Sequence, residues 1–333
     1  MNESGQDEGN RAMSEPILRT IRANGINLRI AEQGSGPVVL LCHGFPESWY
    51  SWRHQMRALA EAGYHAVAPD MRGYGGSDAP AAIDQYTQFH LVGDMIGILD
   101  ALGAARAVIA GHDWGAPVAW NTALLRPDRI RGVIGLSVPY RPRRDIRPSS
   151  VMPQDATAQF YQLYFQTPGV AEAELERDVA HSLRTILTSG FGDDAPDDAI
   201  AMVPRDGGLL TRMRAPAALP GWLGQADLDY FAGEFGRAGF RGGLNWYRNI
   251  DRNWELMAPY AGAVVTPPAL YIAGDRDLVV RFPGMSQLLP NLKQFVPNLR
   301  NMLMLQDCSH WTQQERPAEV NAAMLGFLHE LPA

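Results

Sequence analysis

The chain is poor in cysteine, with only Cys42 and Cys308 among its 333 residues. Two thiols cannot build a disulfide framework, so we exclude the disulfide-rich class and expect a reducing, cytoplasmic compartment. Cys42 adjoins His43 and Cys308 lies two residues before His310, but the paired short spacings of zinc sites are absent. We therefore expect neither a metal nor a cofactor.

Positive charge is also scarce, since the net charge is −7 and the isoelectric point is about 5.6. Such a chain has no general attraction for nucleic acid or anionic membrane. No apolar run reaches the roughly 18–20 residues that a membrane-spanning helix needs. The first residues are polar and lack the apolar stretch of a signal peptide. We expect residues 1–15 to form a disordered lead, with Met13 as an alternative start.

The composition is that of a globular protein, with 46% hydrophobic and 20% charged residues. Short apolar runs alternate with segments of helical periodicity, which is typical of a sheet built from βαβ units. Runs that are apolar on both faces favour parallel strands covered by helices on each side. The runs are residues 38–41, 65–70, 108–111, 133–136, 269–273 and 302–305. The helical patterns between them cover residues 52–60, 91–102 and 116–125.

The pattern changes after Pro139. Residues 141–150 are rich in proline and arginine, which indicates a linker, and we interpret their charges as those of a solvated loop. Helical stretches then replace the strand pattern until about Pro268. We predict an α/β core domain over residues 16–139 and 260–333, interrupted by a helical cap (lid) domain over residues 140–259.

The segment Gly111-His-Asp-Trp-Gly115 follows an apolar run and precedes a helical pattern. This is the spacing of a nucleophile elbow, with Asp113 where an esterase has serine. Glycines are needed because a side chain at either position would clash in so tight a turn. The alternative is an ordinary N-cap aspartate, which the motif by itself does not exclude.

Two further motifs fit the same kind of site. His43-Gly-Phe-Pro46 directly follows a predicted strand, where this fold places the loop that gives one N–H to an oxyanion hole. The residue after the nucleophile, Trp114, gives the other. An acid and then a histidine follow along the chain, in the order of triad members in this fold. On spacing, the acid is Asp275 or Asp277, and the histidine is His310.

The sequence resembles the soluble and microsomal-type epoxide hydrolases of the α/β-hydrolase fold, particularly the soluble kind. The similarity extends from about residue 17 to residue 328, and the stretches in the inserted region are its most specific part. The matching stretches are His43-Gly-Phe-Pro-Glu-Ser, Gly111-His-Asp-Trp-Gly, Tyr161-Gln-Leu-Tyr-Phe-Gln, Gly169-Val-Ala-Glu-Ala-Glu-Leu-Glu, Asn245-Trp-Tyr-Arg-Asn and His310-Trp-Thr-Gln.

The resemblance implies a role for each matching residue. It favours Asp277 over Asp275 as the acid, and Tyr161 over Tyr164 as the first of two cap tyrosines. It also implies a cis Phe45–Pro46 bond. Ser309 and Ala116 depart from the family pattern, which often has glycine at both places. The implied site comprises the nucleophile Asp113, the acid Asp277, the base His310, the tyrosines Tyr161 and Tyr247, and the backbone oxyanion donors Phe45 and Trp114.

The resemblance further implies that an epoxide and water are converted to a 1,2-diol through an ester on Asp113. The nearest alternative is a haloalkane dehalogenase, but Phe45 stands where that family has its halide-binding asparagine. A non-catalytic ligand-binding protein is a second alternative, although all three triad members are present. The expected partners are a small epoxide and water. The sequence leaves the oligomeric state open, a homodimer included.

Overall fold

The computed structural model of the chain describes residues 15–189 and 201–332. The predicted disordered lead lies outside the described residues, apart from Glu15.

A mostly parallel sheet forms the centre of the fold. Within the described residues it has eight strands in the order β1-β2-β4-β3-β5-β6-β9-β10. Strand β2 alone runs against the others, because it pairs antiparallel with both β1 and β4. The six predicted apolar runs all form strands of this sheet. The strands are β1 Ile17–Ala23, β2 Ile26–Gln33, β3 Val38–Cys42, β4 His65–Pro69, β5 Ala107–His112, β6 Ile130–Leu136, β9 Ala269–Gly274 and β10 Leu299–Leu305.

The β1–β2 hairpin was missing from the sequence prediction. Its two strands meet at a two-residue turn, in which Asn24 and Gly25 have φ of 49° and 82°. An Asn-Gly pair is the strongest short-range hairpin signal, because both turn positions need positive φ. The outer strand β1 was overlooked because most of its side chains are exposed, so it has no continuous apolar run.

Helices cover both faces of the sheet and create two hydrophobic layers. Leu40 of β3 belongs to the layer beneath α2 and α3, whereas Leu41 belongs to the layer beneath α1 and α12. Successive residues of a strand point to opposite faces, which is why the buried runs are apolar throughout. The helices around the sheet are α1 Arg53–Glu61, α2 Gln88–Ala101, α3 Gly115–Leu125, α10 Met285–Leu288, α11 Thr312–Glu315 and α12 Pro317–His329.

The segment between β6 and β9 is mainly helical, as predicted. It departs from the prediction in one respect, because β7 Ala158–Phe160 and β8 Met202–Pro204 pair as a small antiparallel sheet. Strands of three residues are too short to leave a readable pattern. None of the helices in the described residues is long and apolar enough to cross a membrane. The helices of this segment are α4 Tyr161–Tyr164, α5 Val170–Leu175, α6 Val179–Thr188, α7 Gln225–Ala238, α8 Arg241–Arg248 and α9 Ile250–Leu256.

Candidate active site

Asp113 occupies a sharp turn between β5 and α3, at a φ of 48°. A Cβ atom on Gly111 would lie 2.0 Å from the carbonyl oxygen of Gly115, and one on Gly115 would lie 2.0 Å from that of Cys42. Only glycine fits at both positions, so the turn has the geometry predicted for the elbow. The N-cap of α3 is Trp114 and not Asp113.

The loop after β3 reaches the same carboxylate. The backbone N–H of Phe45 donates to Oδ1 of Asp113 at 2.8 Å. Gly44 permits this approach, because a Cβ atom there would lie 2.4 Å from Oδ1. The Phe45–Pro46 bond is cis, as the resemblance implies. Trp114, the residue directly after Asp113, is the N-cap of α3.

His310 contacts Asp277. Its Nδ1 lies 2.9 Å from Oδ1 of Asp277, a fully buried carboxylate that also accepts from the N–H of Val279. Asp275 instead accepts from the backbone N–H of Cys308 at 3.3 Å. The two acids that the sequence left open are therefore distinguished by their contacts.

The same imidazole faces Asp113, with Nε2 3.6 Å from Oδ2. Burial by itself lowers the pKa of His310, but the negative charge of Asp277 and the contact with Asp113 raise it well above its usual value. Burial opposes ionisation of Asp277 as well, yet His310 holds the pKa of that carboxyl below its usual value. The resting arrangement therefore favours a protonated imidazole between two carboxylates.

The two predicted tyrosines lie together above this group. The ring centroids of Tyr161 and Tyr247 are 5.8 Å apart, and that of Tyr247 is 4.9 Å from the ring of Trp114. Burial and the charge of Asp113 raise the pKa of both phenols. These phenols therefore keep their protons at neutral pH and can act as hydrogen-bond donors.

Tyr164, the alternative to Tyr161, has a different environment. Its hydroxyl donates to Oε2 of Glu174 at 2.8 Å. The hydroxyl of Tyr161 instead accepts from Nε2 of Gln162 at 3.1 Å, and its ring lies beside that of Tyr247. The ring of Tyr161 therefore lies beside that of Tyr247, whereas the hydroxyl of Tyr164 is bonded to Glu174.

Comparison with known proteins agrees with this geometry. The family model for the alpha/beta hydrolase fold matches residues 37–317. Epoxide hydrolase A of Mycobacterium tuberculosis is 46% identical over 95% of this chain and 98% of its own length. The chain belongs to the epoxide hydrolases of the α/β-hydrolase fold. Epoxide hydrolase 2 of Siraitia grosvenorii is 43% identical over 93% of this chain and 97% of its own.

A solved epoxide hydrolase gives the same result for the fold. The crystal structure of epoxide hydrolase A from Mycobacterium thermoresistibile is 47% identical to this chain, with a TM-score of 0.89. The superposition covers 95% of this chain and 99% of the other. The predicted fold class is therefore confirmed.

Ser137 is a site residue that the sequence analysis missed in this epoxide hydrolase. Its Oγ lies 3.1 Å from Nδ1 of His310, and its carbonyl oxygen accepts from the hydroxyl of Tyr271 at 2.7 Å. Ser137 also helps to lower the pKa of Asp277. It directly follows the predicted strand 133–136, so its position at a strand end was a usable signal.

A second missed group supports His310 from below. Nε2 of His112 donates to the carbonyl oxygen of His310 at 2.7 Å, while its Nδ1 contacts Glu47. His112 and Glu47 are both fully buried. The two side chains therefore form a buried pair that contacts the backbone of His310.

The histidine in the loop after β3 has a structural environment. His43 donates from Nδ1 to the carbonyl oxygen of Gly44 at 2.9 Å and accepts at Nε2 from the N–H of Met71 at 3.0 Å. Burial lowers its pKa, which suits a neutral ring with these two bonds. Its neighbour Cys42 packs against Met95, with the two sulfur atoms 3.3 Å apart. Within the described residues, no group of three His, Cys, Asp or Glu side chains is arranged to hold a metal ion.

Proposed function

We propose that this epoxide hydrolase converts an epoxide and water to a 1,2-diol through a covalent ester on Asp113. One observation carries the proposal: the carboxylate of Asp113 lies between the N–H of Phe45 and the imidazole of His310. A carboxylate needs no proton removed before it attacks carbon, whereas the hydroxyl of a serine nucleophile does.

In the first step, a carboxylate oxygen of Asp113 forms a bond to one ring carbon and the C–O bond of the epoxide breaks. The electron pair stays on the leaving oxygen, which takes a proton from Tyr161 or Tyr247. General acid help of this kind is typically worth about 10²–10⁴-fold. The nearby Tyr161 and Tyr247 rings support a shared role, because both phenols can reach one oxygen atom.

Between the two steps, the tyrosinate left by ring opening takes back a proton from the protonated His310 by way of solvent, which leaves the imidazole neutral. In the second step, water attacks Cγ of the Asp113 ester while His310 accepts its proton. The bond from Cγ to the alcohol oxygen then breaks and that oxygen takes the remaining proton of the attacking water, so that the 1,2-diol leaves and Asp113 is again a carboxylate. Esterification removes the negative charge of Asp113, which is one of the causes that raise the pKa of His310. The imidazole is therefore expected to become a better base once the ester has formed. The N–H groups of Phe45 and Trp114 stabilise the tetrahedral oxyanion, and such a donor is typically worth about 2.7–4 kcal/mol.

The alternative activities have less support. A haloalkane dehalogenase needs N–H donors for a halide, whereas the ring of Phe45 packs against those of Phe165 and Tyr247. Two buried phenols suit an oxygen leaving group instead, because it needs a proton. A ligand-binding protein without catalysis does not need the bond between His310 and Asp277.

The division into domains is part of the same proposal. Residues 16–139 and 260–333 form the core domain, and residues 140–259 form the cap domain. The support is positional: the elbow and His310 come from segments around the sheet, whereas both tyrosines come from the segment between β6 and β9. Such a division lets cap residues vary with the substrate while the triad stays on the sheet.

A single turnover in ¹⁸O-water, with enzyme in excess over styrene oxide, tests the mechanism. We expect the first diol to carry no label from water and the label to appear in the peptide that contains Asp113. Label that enters the diol directly would mean attack by water, with Asp113 acting only as a base. A parallel incubation without substrate controls for exchange into the carboxylate.

A further inference from the structure

Tyr161 stands on a helix that cannot hold its position alone. Helix α4 has four residues, which is about one turn, and isolated helices of this length are unstable in water. The position of its phenol must therefore be fixed by neighbours. Tyr247, by contrast, lies near the end of the eight-residue helix α8.

Helix α8 is fastened directly to the core domain. The indole N–H of Trp246 donates to the carbonyl oxygen of Arg72 at 3.1 Å, and Asn249, just beyond the helix, donates to that of Ile83 at 2.6 Å. A Cβ atom on Gly242 would lie 2.1 Å from the carbonyl oxygen of Gly73, so the two backbones touch. The core therefore holds Tyr247 independently of α4.

Arg248 joins α8 to the segment that carries Tyr161. Its side chain is 2% exposed, and its Nε donates to the carbonyl oxygen of Phe165, directly after α4, at 3.1 Å. The guanidinium also forms an ion pair with Glu172 at 2.8 Å and reaches the carbonyl oxygen of Thr167 at 3.4 Å. Gln166 adds a bond in the other direction, from Nε2 to the carbonyl oxygen of Tyr247 at 2.9 Å.

The chemistry of this cluster requires arginine. A planar guanidinium offers five N–H donors in fixed directions, whereas a lysine ammonium is a single point with three. Burying the charge is costly unless it is paired, and Glu172 supplies the pair. Glu172 is itself held by the N–H of Gly169 at 2.9 Å.

We propose that Arg248, paired with Glu172, is a positioning residue that holds Tyr161 at the correct distance from Tyr247. This rests on the proposed role of the tyrosines as acids. Arg248 acts through the backbone of residues 165–167 and through Glu172, away from the reacting atoms. We call Arg248, Glu172 and their bonds to residues 165–167 the clamp. Because α8 is anchored to the core, loss of the clamp displaces Tyr161 and leaves Tyr247 in place.

The test measures the alkylation and hydrolysis half-reactions separately, by stopped-flow tryptophan fluorescence with excess styrene oxide. We expect Arg248→Lys to slow alkylation about tenfold or more, because a misplacement of 1 Å can cost roughly a hundredfold. Hydrolysis of the ester should change less than about twofold, since the triad is untouched. Gln166→Met should act in the same direction with a smaller effect, and it tests the clamp without burying a charge.

Double variants that combine Arg248→Lys with a tyrosine substitution distinguish a positioning role from a general loss of structure. Arg248→Lys should cost less than about twofold when added to Tyr161→Phe, because the phenol it positions is gone. Added to Tyr247→Phe, it should keep its full effect on alkylation. Arg252→Lys is the matched control, since Arg252 makes an exposed ion pair with Glu255 at 3.1 Å.

Four results would overturn the clamp. The first is an unchanged alkylation rate in Arg248→Lys and Gln166→Met variants that are folded. The second is that Arg248→Lys slows alkylation as much in the Tyr161→Phe background as in the wild type. The third is equal slowing of alkylation and hydrolysis, which would mean that Arg248 only stabilises the fold of the cap domain. If Tyr161→Phe alone leaves alkylation unchanged, the proposed acid role fails and the clamp fails with it.

Discussion

Nε2 of His310 lies 3.6 Å from Oδ2 of Asp113, whereas its Nδ1 lies 2.9 Å from Oδ1 of Asp277. The shorter contact is a hydrogen bond and the longer one is not. Asp277 therefore orients the imidazole so that its other nitrogen faces Asp113. The proposed mechanism agrees with this asymmetry, because it uses His310 in the second half-reaction and not in the first.

His310→Gln should accordingly spare alkylation and block hydrolysis of the ester. After mixing with styrene oxide, we expect a covalent adduct heavier than the protein by one epoxide, detected by intact mass spectrometry and mapped to the Asp113 peptide. Adding Asp113→Ala should abolish the adduct. His329→Gln, at an exposed histidine of α12, serves as the control and should turn over normally. Normal turnover by His310→Gln would remove the histidine from the mechanism.

Both cap tyrosines should contribute to alkylation. We expect Tyr161→Phe and Tyr247→Phe each to slow the step by roughly ten- to a hundredfold, and the double variant to lose nearly all activity, since a general acid is worth about 10²–10⁴-fold in total. The measurement is the single-turnover rate of ring opening.

Tyr164→Phe is the matched control for these variants, because its hydroxyl is bonded to Glu174. It should keep its rate and lose about 1.5–3 kcal/mol of unfolding free energy, as expected for a hydrogen bond to a charged group. If Tyr164→Phe slows ring opening strongly and Tyr161→Phe slows it only slightly, the roles of the two tyrosines are reversed.

The pair of His310 and Asp277 should make stability depend on pH. The pKa of His310 lies above its usual 6.5, so its contribution is full below that value and is lost as the pH rises through the raised pKa. The pKa of Asp277 lies below its usual 3.8, so its contribution is present above that value and is lost as the pH falls through the lowered pKa.

The difference in unfolding free energy between wild type and His310→Gln should therefore be largest between about pH 4 and pH 6.5. It should shrink as the pH rises above the folded-state pKa of His310, and again in strong acid. Urea denaturation across this range measures it. A difference that does not vary with pH would contradict the raised pKa.

Gly44 should be essential for Asp113, the proposed nucleophile, to hold its position. A Cβ atom there would lie 2.4 Å from Oδ1 and 2.5 Å from Cβ of Asp113. We expect Gly44→Ala to slow alkylation by roughly a hundredfold, as for other displacements of about 1 Å. Gly236→Ala is the control, because a Cβ atom there meets nothing within 4 Å. On helix α7 it should stabilise the protein by roughly 0.5–1 kcal/mol and leave the rate unchanged. A fully active Gly44→Ala variant would show that the loop after β3 can move away from Asp113 without loss of activity.

Much of the fold could be predicted because its central strands are apolar on both faces. All six runs, such as residues 38–41 and 269–273, form strands of the sheet. The hairpin β1–β2 was not found, although its Asn24-Gly25 turn was a readable signal. The short pair β7–β8 had no signal, since three residues carry no periodicity.

The sequence by itself predicted a tight turn at Asp113 and the order of the acid and the histidine, because these depend on local turns and on chain order. It left Asp275 and Asp277 open, as well as Tyr161 and Tyr164, until the resemblance chose between the members of each pair. Only the tertiary structure shows which member contacts the site. Residues two or three positions apart differ in direction, and direction is set by the neighbours that they meet.

Other parts of the site were decided by contacts between distant segments. His112 reaches the carbonyl of His310 across 198 positions, and Arg248 reaches Glu172 across 76. No local pattern encodes such a pair, because each partner by itself is an ordinary polar residue. Burial in the folded protein is what makes the partner necessary, since an unpaired polar group is costly there.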